Sequence, residues 1–113
     1  MTNISNKAFA SNQISNAVIS YGVLTISNGA FNKNQLTHID IPASVISIGN
    51  DAFRGDQLSS ITLPNGLEHI GDRIFEDNQL TSVTIPYGIT TLSTGVFLGN
   101  QLTSVEIPAS VPV

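Results

Sequence analysis

A strict period of 22 residues constrains this chain more than any other feature of its sequence. Glutamine recurs at that step, as Gln13, Gln35, Gln57, Gln79 and Gln101. Phenylalanine keeps the same step, as Phe9, Phe31, Phe53, Phe75 and Phe97. A period of this length is typical of a solenoid, because a single coil cannot bury its apolar side alone and must stack on copies of itself. The period therefore predicts a repeat solenoid, mainly β, as the fold.

The period organises residues 1–113 as a single domain, a length suited to one small domain. The first full coil is degenerate, with Ala17 where later coils have Ile or Val and Ser20 where they have Pro. Such degeneracy is expected near the end of an array, where a coil has only one neighbour to fit. The predicted units are a partial coil at 1–12, full coils at 13–34, 35–56, 57–78 and 79–100, and a partial coil at 101–113.

Spacing within a coil indicates which side chains face inward. Leu36, Ile39 and Ile41 follow an L-x-x-L-x-L pattern, whose last two positions lie on the same face of a strand. Pro42 then ends the segment, since proline has no N–H to donate to a ladder and fixes its own φ. The same pattern recurs in the following coils, so we expect a parallel strand ladder along this side of the solenoid.

The return side of each coil carries a second apolar pair, such as Val45 and Ile48, which we expect in a short extended segment or bend. The phenylalanine follows, predicted in a short helical or 3₁₀ turn with its ring filling the space between coils. Burying each ring is worth about 2 kcal/mol or more, and replacing it with alanine costs about 3 to 5 kcal/mol. The predicted structural core is the column Phe9, Phe31, Phe53, Phe75 and Phe97.

One polar position recurs as regularly as the core positions. An amide at the corner of a coil can both accept from and donate to backbone groups that lack a ladder partner. We therefore predict an asparagine ladder, in which Asp56 is the weak rung because a carboxylate accepts but does not donate. A metal or ligand site is the alternative, but the column serves every coil equally. Its members are Asn12, Asn34, Asp56, Asn78 and Asn100.

The repeat unit resembles the BspA-like leucine-rich repeats, also called the Treponema pallidum type, and the match extends over essentially the whole chain. Ile41-Pro42, Val45, Ile48-Gly49 and Ala52-Phe53 carry the resemblance. It implies a curved right-handed solenoid with parallel strands on its inner face. It also implies a bacterial surface or secreted protein, or a protist surface protein, that binds host or partner proteins. The family often has cysteine at the Asn34 position, where an amide can cap the turn instead.

Outward positions of the L-x-x-L-x-L segments form the candidate protein-binding surface, here called the strand face. It is rich in hydroxyl groups and almost uncharged, and it lacks the aromatic and arginine anchors of most binding hot spots. Its residues are Thr37, His38, Asp40, Ser59, Ser60, Thr62, Thr81, Ser82, Thr84, Thr103, Ser104 and Glu106.

Three residues of the strand face resemble a catalytic triad. His38 and Asp40 point the same way from one segment, and Ser60 is expected beside His38 in the next coil. A triad also needs an oxyanion hole and a pocket that excludes water, which an open sheet face does not offer. His69 lies on the return side, out of phase with His38, so the two cannot share a metal. We therefore expect no catalytic residues, no metal and no cofactor.

Charge and composition exclude several partners. The net charge is −4 with only four Lys plus Arg, which leaves no basic patch for nucleic acid or for an anionic membrane surface. The chain has no cysteine for a disulfide or thiolate metal site. It has no apolar run long enough to span a membrane, and Met1–Ala10 does not read as a signal peptide. Surface location or secretion is implied by the resemblance, with a cytoplasmic location as the alternative.

Two functions are consistent with these features. The favoured hypothesis is a non-enzymatic module of a bacterial surface or secreted protein that binds a protein through the strand face. The alternative is a structural or self-assembling scaffold. Both termini fall in mid-coil without a polar capping unit, so the end coils are expected to expose apolar side chains and to stack with other copies.

Overall fold

The structure is a computed structural model that describes residues 2–89, 91–93 and 95–106. Within these ranges the chain contains short strands and turns and no helix, and hence no helix that could cross a bilayer. The strands are β1 (Asn3–Ile4), β2 (Thr25–Ile26), β3 (Ser47–Ile48), β4 (His69–Ile70), β5 (Ser82–Thr84) and β6 (Ser104–Glu106).

Strands β1 to β4 form a parallel sheet in chain order on the return side of the coils. Each strand pairs with the next at a shift of 22 residues, so that Ile4 lies opposite Ile26, Ile26 opposite Ile48, and Ile48 opposite Ile70. These isoleucines are all buried. The return side was expected to hold a short extended segment or a bend, and it holds the longer of the two ladders.

Among the residues that the structure describes, the L-x-x-L-x-L side forms a ladder only between β5 and β6. Earlier coils stack there through separate hydrogen bonds, such as Gln57 N–H to the Leu36 carbonyl at 2.9 Å. The prediction of a ladder along this entire side is therefore wrong for the coils before β5. Side-chain preference is one physical reason, because β5 carries the strand formers Val83 and Thr84, whereas Asp40 stands at the Thr84 position two coils earlier.

The short turns predicted at the phenylalanines are present, and within the described residues they contain no helical or 3₁₀ segment. Two positions in each of these turns have positive φ, for example 58° at Asp51 and 59° at Lys33. A left-handed residue interrupts a right-handed helical run, so the segment closes on itself as a turn. The positions are Lys7, Gly29, Asp51, Arg73 and Gly95, and four residues later Ser11, Lys33, Gly55, Asp77 and Gly99.

The phenylalanine rings form one continuous stack through the solenoid. Phe31 and Phe53 have centroids 5.5 Å apart and planes inclined by 3°, and the other neighbouring pairs span 5.4 to 6.3 Å. Phe53 and Phe75 are fully buried, whereas Phe9 at the first turn is 41% exposed. Such contacts contribute about 0.5 to 1.5 kcal/mol per pair beyond area burial. The stack therefore joins each coil to both of its neighbours.

Candidate protein-binding face

All twelve residues of the strand face are exposed, and the apolar residues between them are buried, except for the half-buried Val105. In β5, for example, Ser82 and Thr84 face solvent on either side of the buried Val83. Side chains that alternate along an extended segment point to opposite faces, which places the polar set on one surface. The arrangement gives a continuous polar face backed by the hydrophobic core.

The C-terminal half of the strand face is held in register by backbone pairing. Ser82 lies opposite Ser104, and Thr84 lies opposite Glu106. The Thr84 hydroxyl donates to Glu106 Oε2 at 3.5 Å, which is a weak hydrogen bond at that length. The Thr103 hydroxyl donates to the Thr81 carbonyl at 3.3 Å, so the hydroxyl groups of Thr81, Ser82 and Ser104 are those that remain available to a partner.

His38 and Asp40 form the one ion pair between strand-face residues in the described part of the chain. Nε2 of His38 lies 3.0 Å from Oδ1 of Asp40, with the two side chains 64% and 93% exposed. Water screens a pair this exposed, so it adds little to stability. Within the described residues no hydrogen bond joins Ser60 to His38. The acid and the base therefore meet, but the serine is not connected to them.

A hollow of about 210 Å³ lies at the edge of the strand face, between two successive coils. It includes two strand-face threonines, one from each coil, and the start of the turn that follows. Its lining combines hydroxyl, amide and aliphatic groups, which suits a small side chain of a partner. The lining residues are Ile61, Thr62, Leu63, Asn65, Thr84 and Pro86.

The polar column behind the turns connects successive coils through side-chain amides. Nδ2 of Asn34 donates to the carbonyl of Phe31 in its own turn at 3.1 Å and to that of Phe9, one coil earlier, at 2.8 Å. Oδ1 of Asn34 accepts from the Ile14 N–H at 3.1 Å. One side chain thus satisfies three backbone groups that the short strands leave without ladder partners.

Among the other members of the column, Asn78 and Asn100 repeat the pattern of Asn34, whereas Asn12 does not. Asn78 and Asn100 each donate to the phenylalanine carbonyls of two successive turns. Each also accepts a leucine N–H, at 3.0 and 2.9 Å respectively. Asn12 lies at the first turn and donates only to carbonyls of that turn, at 3.0 and 3.2 Å.

Asp56 occupies the same column with a different hydrogen-bond pattern. Its Oδ1 accepts from the Leu36 N–H at 3.4 Å, while its Oδ2 is buried without a hydrogen-bond partner. Desolvation by burial raises the pKa of Asp56 to about 7, and hydrogen bonds from the backbone of Leu36 and Asn34 oppose this rise. The carboxyl group is therefore poorly accommodated as an anion.

Charged residues of the phenylalanine turns pair with one another. Arg73 Nε lies 3.2 Å from Asp51 Oδ1, and Arg54 lies 3.6 Å from Glu76 Oε1. The hydrogen bond to Asp51, with its negative charge, raises the pKa of Arg73. Both arginine side chains are 39% exposed. Their charges are largely balanced within this network, whereas Lys33 and Asp77 of the same set of turns are exposed and form no ion pair in the described part of the chain.

Sequence reasoning missed a second polar column. Asn28 Oδ1 accepts from the Asn50 N–H, and Asn50 Oδ1 accepts from the Asp72 N–H, both at 2.7 Å. The glycine before each donating N–H allows this close approach, because a Cβ at Gly71 would collide with the Asn50 side chain and lie 2.6 Å from the Asn50 backbone nitrogen. The sequence feature that could have revealed this column is the recurrence of Asn28, Asn50 and Asp72 at the 22-residue step.

Comparison with known proteins agrees with this geometry. A family model for the BspA type leucine rich repeat region matches residues 2–113 with six copies. The structure is similar to that of a leucine-rich repeat protein from Eubacterium ventriosum, with a TM-score of 0.80 and 27% identity over 88% of this chain. This chain spans 27% of the length of that protein, and no curated protein matches it.

These matches confirm both the resemblance noted in the repeat unit and the leucine-rich-repeat-like parallel solenoid predicted from the period. The family match extends over nearly all of the sequence, including the coils whose repeat is degenerate. The chain is a member of the BspA-type leucine-rich repeat family.

Proposed function

We propose that this chain is a non-enzymatic interaction module of a bacterial cell-surface or secreted protein, and that it binds a protein partner through the strand face. The observation that carries the proposal is the exposure of all twelve strand-face side chains on one surface above a packed core. Family membership supports the interaction role and the surface or secreted location.

The chemistry of the strand face indicates what a partner would present. Serine and threonine hydroxyls both donate and accept, so they complement polar groups and exposed backbone better than they complement charge. Their short side chains also lose little conformational entropy when a partner orders them. His38, Asp40 and Glu106 are the titratable groups among the twelve residues. Because ionic screening acts on charge pairs, binding should depend only weakly on salt concentration.

The hollow at Thr62 and Thr84 provides a place for an anchoring contact. A protein interface usually depends on a few side chains inserted into pockets of this kind. The strand face lacks aromatic anchors of its own, so the anchoring side chain should come from the partner. An aliphatic side chain fits the mixture of threonine methyls, isoleucine and proline that lines the hollow.

Arginine substitutions on the strand face test the proposal. Proteins captured by the wild-type chain would be identified and their affinities measured by calorimetry for Ser82→Arg and for His69→Arg. The second variant is the matched control, because His69 is equally a surface residue of a strand but lies on the return side. We expect Ser82→Arg to weaken binding at least tenfold and His69→Arg to leave it unchanged. Equal binding by both variants would contradict the proposal.

A second candidate function is a scaffold in which copies stack end to end. It is favoured by an apolar hollow of about 430 Å³ at the first coil, which Phe9, Ile14, Ala17 and Ile19 help to line. An exposed apolar surface of this kind suits another coil. Sedimentation across a concentration series tests the idea: a scaffold predicts larger species that Phe9→Lys abolishes and Ser82→Arg does not. A monomer at every concentration would refute it.

A further inference from the structure

We propose that Asp56 makes this solenoid sensitive to pH, because the polar column behind the phenylalanine turns is complete only when the Asp56 carboxyl group carries a proton.

The rungs on either side of Asp56 have the complete hydrogen-bond pattern. In Asn34 and Asn78, Oδ1 accepts a backbone N–H and Nδ2 donates to phenylalanine carbonyls of two successive turns. Asp56 lies one period from each and uses its Oδ1 in the same way, on the Leu36 N–H. Its Oδ2 therefore corresponds to the amide nitrogen of the other rungs, and this atom is buried without a hydrogen-bond partner.

Ionisation decides whether that atom can complete the rung. A carboxylate oxygen only accepts hydrogen bonds. The amide nitrogens of Asn34 and Asn78 each bond the phenylalanine carbonyls of two successive turns, and by analogy we infer that Asp56 Oδ2 faces the carbonyls of Phe31 and Phe53, which also only accept. A protonated Oδ2 becomes a donor and can bond either carbonyl, as the amide does in the neighbouring rungs. The proton thus turns a repulsive contact into a hydrogen bond.

No nearby charge compensates the carboxylate within the described residues. Arg54, in the same turn, pairs with Asp51 and Glu76. Lys33 and Asp77 stand next to the rungs before and after, and both are exposed. Burial, rather than a neighbouring charge, is the cause of the raised pKa of Asp56. Ionising Asp56 therefore lowers the stability of the folded state.

The direction of the effect follows from the two pKa values. The folded-state pKa of about 7 lies above the ordinary aspartate pKa of 3.8, which applies to the unfolded chain. Stability from this group is complete below about pH 4, falls as pH rises toward 7, and stays constant above that. Within this window the unfolding equilibrium constant changes by roughly tenfold per pH unit through this group.

Asp56→Asn tests the proposal directly. Urea unfolding of the wild-type chain and this variant would be measured from pH 5 to pH 8. We expect the variant to be the more stable at pH 8 and its advantage to shrink steadily toward pH 5. Other carboxylates titrate in both proteins, so the difference between the two curves isolates Asp56. Asp77→Asn is the control, because Asp77 is exposed and forms no ion pair in the described part of the chain, so it should give a stability difference that does not vary with pH.

The reverse substitution and a direct titration complete the test. Asn78→Asp should create a second sensitive rung, losing stability at pH 8 and recovering it at pH 5. The carboxyl carbon signal of Asp56, followed by NMR in the wild-type chain, should titrate with a midpoint near 7. A midpoint near 4, or a stability difference for Asp56→Asn that does not vary with pH, would overturn the proposal.

Discussion

Nδ2 of Asn100 lies 2.7 Å from the carbonyl oxygen of Phe75, a residue one full coil earlier in the chain. The equivalent bond joins Asn78 to the turn before it at 2.8 Å. Because each coil of a solenoid contacts only its neighbours, a bond that crosses from one turn to the next contributes directly to the cooperativity of the stack. The asparagine column is therefore part of what makes separate coils fold as one unit.

Asn78→Ala should destabilise the chain by about 3 kcal/mol, because it leaves buried carbonyl and N–H groups without partners. Asn12→Ala is the matched control. Asn12 is exposed and bonds only within its own turn, so its loss should cost less than about 1 kcal/mol. Urea unfolding of both variants measures the difference in stability. Equal losses would show that hydrogen bonds between turns stabilise the chain no more than those within one turn.

The phenylalanine stack predicts that replacing a ring with alanine costs more stability in the middle of the chain than at its first turn. Phe53→Ala should cost about 3 to 5 kcal/mol, since the ring is fully buried and stacks on a ring at each side. Phe9→Ala should cost clearly less, because Phe9 is 41% exposed and stacks on one side only. Thermal or urea unfolding gives the comparison. A Phe9→Ala cost as large as that of Phe53→Ala would contradict this prediction.

The 22-residue period was sufficient to predict the parallel solenoid and the spacing of its turns. The column of Phe53 repeats one residue and the column of Asn78 departs from asparagine only at Asp56, so both could be aligned without structural data. The exposed strand-face positions follow from the same alignment, because alternation in an extended segment places Ser82 and Thr84 on the side opposite Val83. Whether a protein binds there is a separate question that the period does not address.

The side that carries the longer ladder could not be predicted in this way. Both sides of a coil contain extended, apolar segments with the same period, and local preference distinguishes them poorly because packing context outweighs it. Arg73 stands one period after Asp51, so the alignment places the two in successive coils, but the period alone does not show that their side chains meet at 3.2 Å. Asn28 and Asn50 looked like ordinary turn residues for the same reason.

Gly71→Ala tests the second polar column. A Cβ at this position would lie 2.6 Å from the Asn50 backbone nitrogen, so backbone must move and the Asn50 to Asp72 hydrogen bond is disturbed. We expect a loss of about 2 kcal/mol or more. Gly66→Ala is the control, because its new Cβ would meet only the Ala43 carbonyl oxygen at 3.4 Å. A similar small effect for both substitutions, measured by unfolding, would show that the close approach is readily relieved.

Lys33→Gly should stabilise the protein, although it removes a side chain. Lys33 has a φ of 59°, and the equivalent residues one and three coils later are Gly55 and Gly99, with φ of 73° and 74°. A left-handed conformation costs a non-glycine residue about 1 to 2 kcal/mol. Glycine avoids this cost but loses more conformational entropy on folding, so the net gain should be up to about 1 kcal/mol.

The control for this substitution is Gln57→Gly. Gln57 is exposed, like Lys33, but it does not have a positive φ, so glycine there should destabilise by about 0.5 to 1 kcal/mol. Opposite signs of the change in unfolding free energy for the two variants, read from paired urea unfolding curves, would show that the left-handed backbone at Lys33 costs conformational energy. If Lys33→Gly were as destabilising as Gln57→Gly, the lysine side chain would have to contribute more through its contacts than its backbone conformation costs.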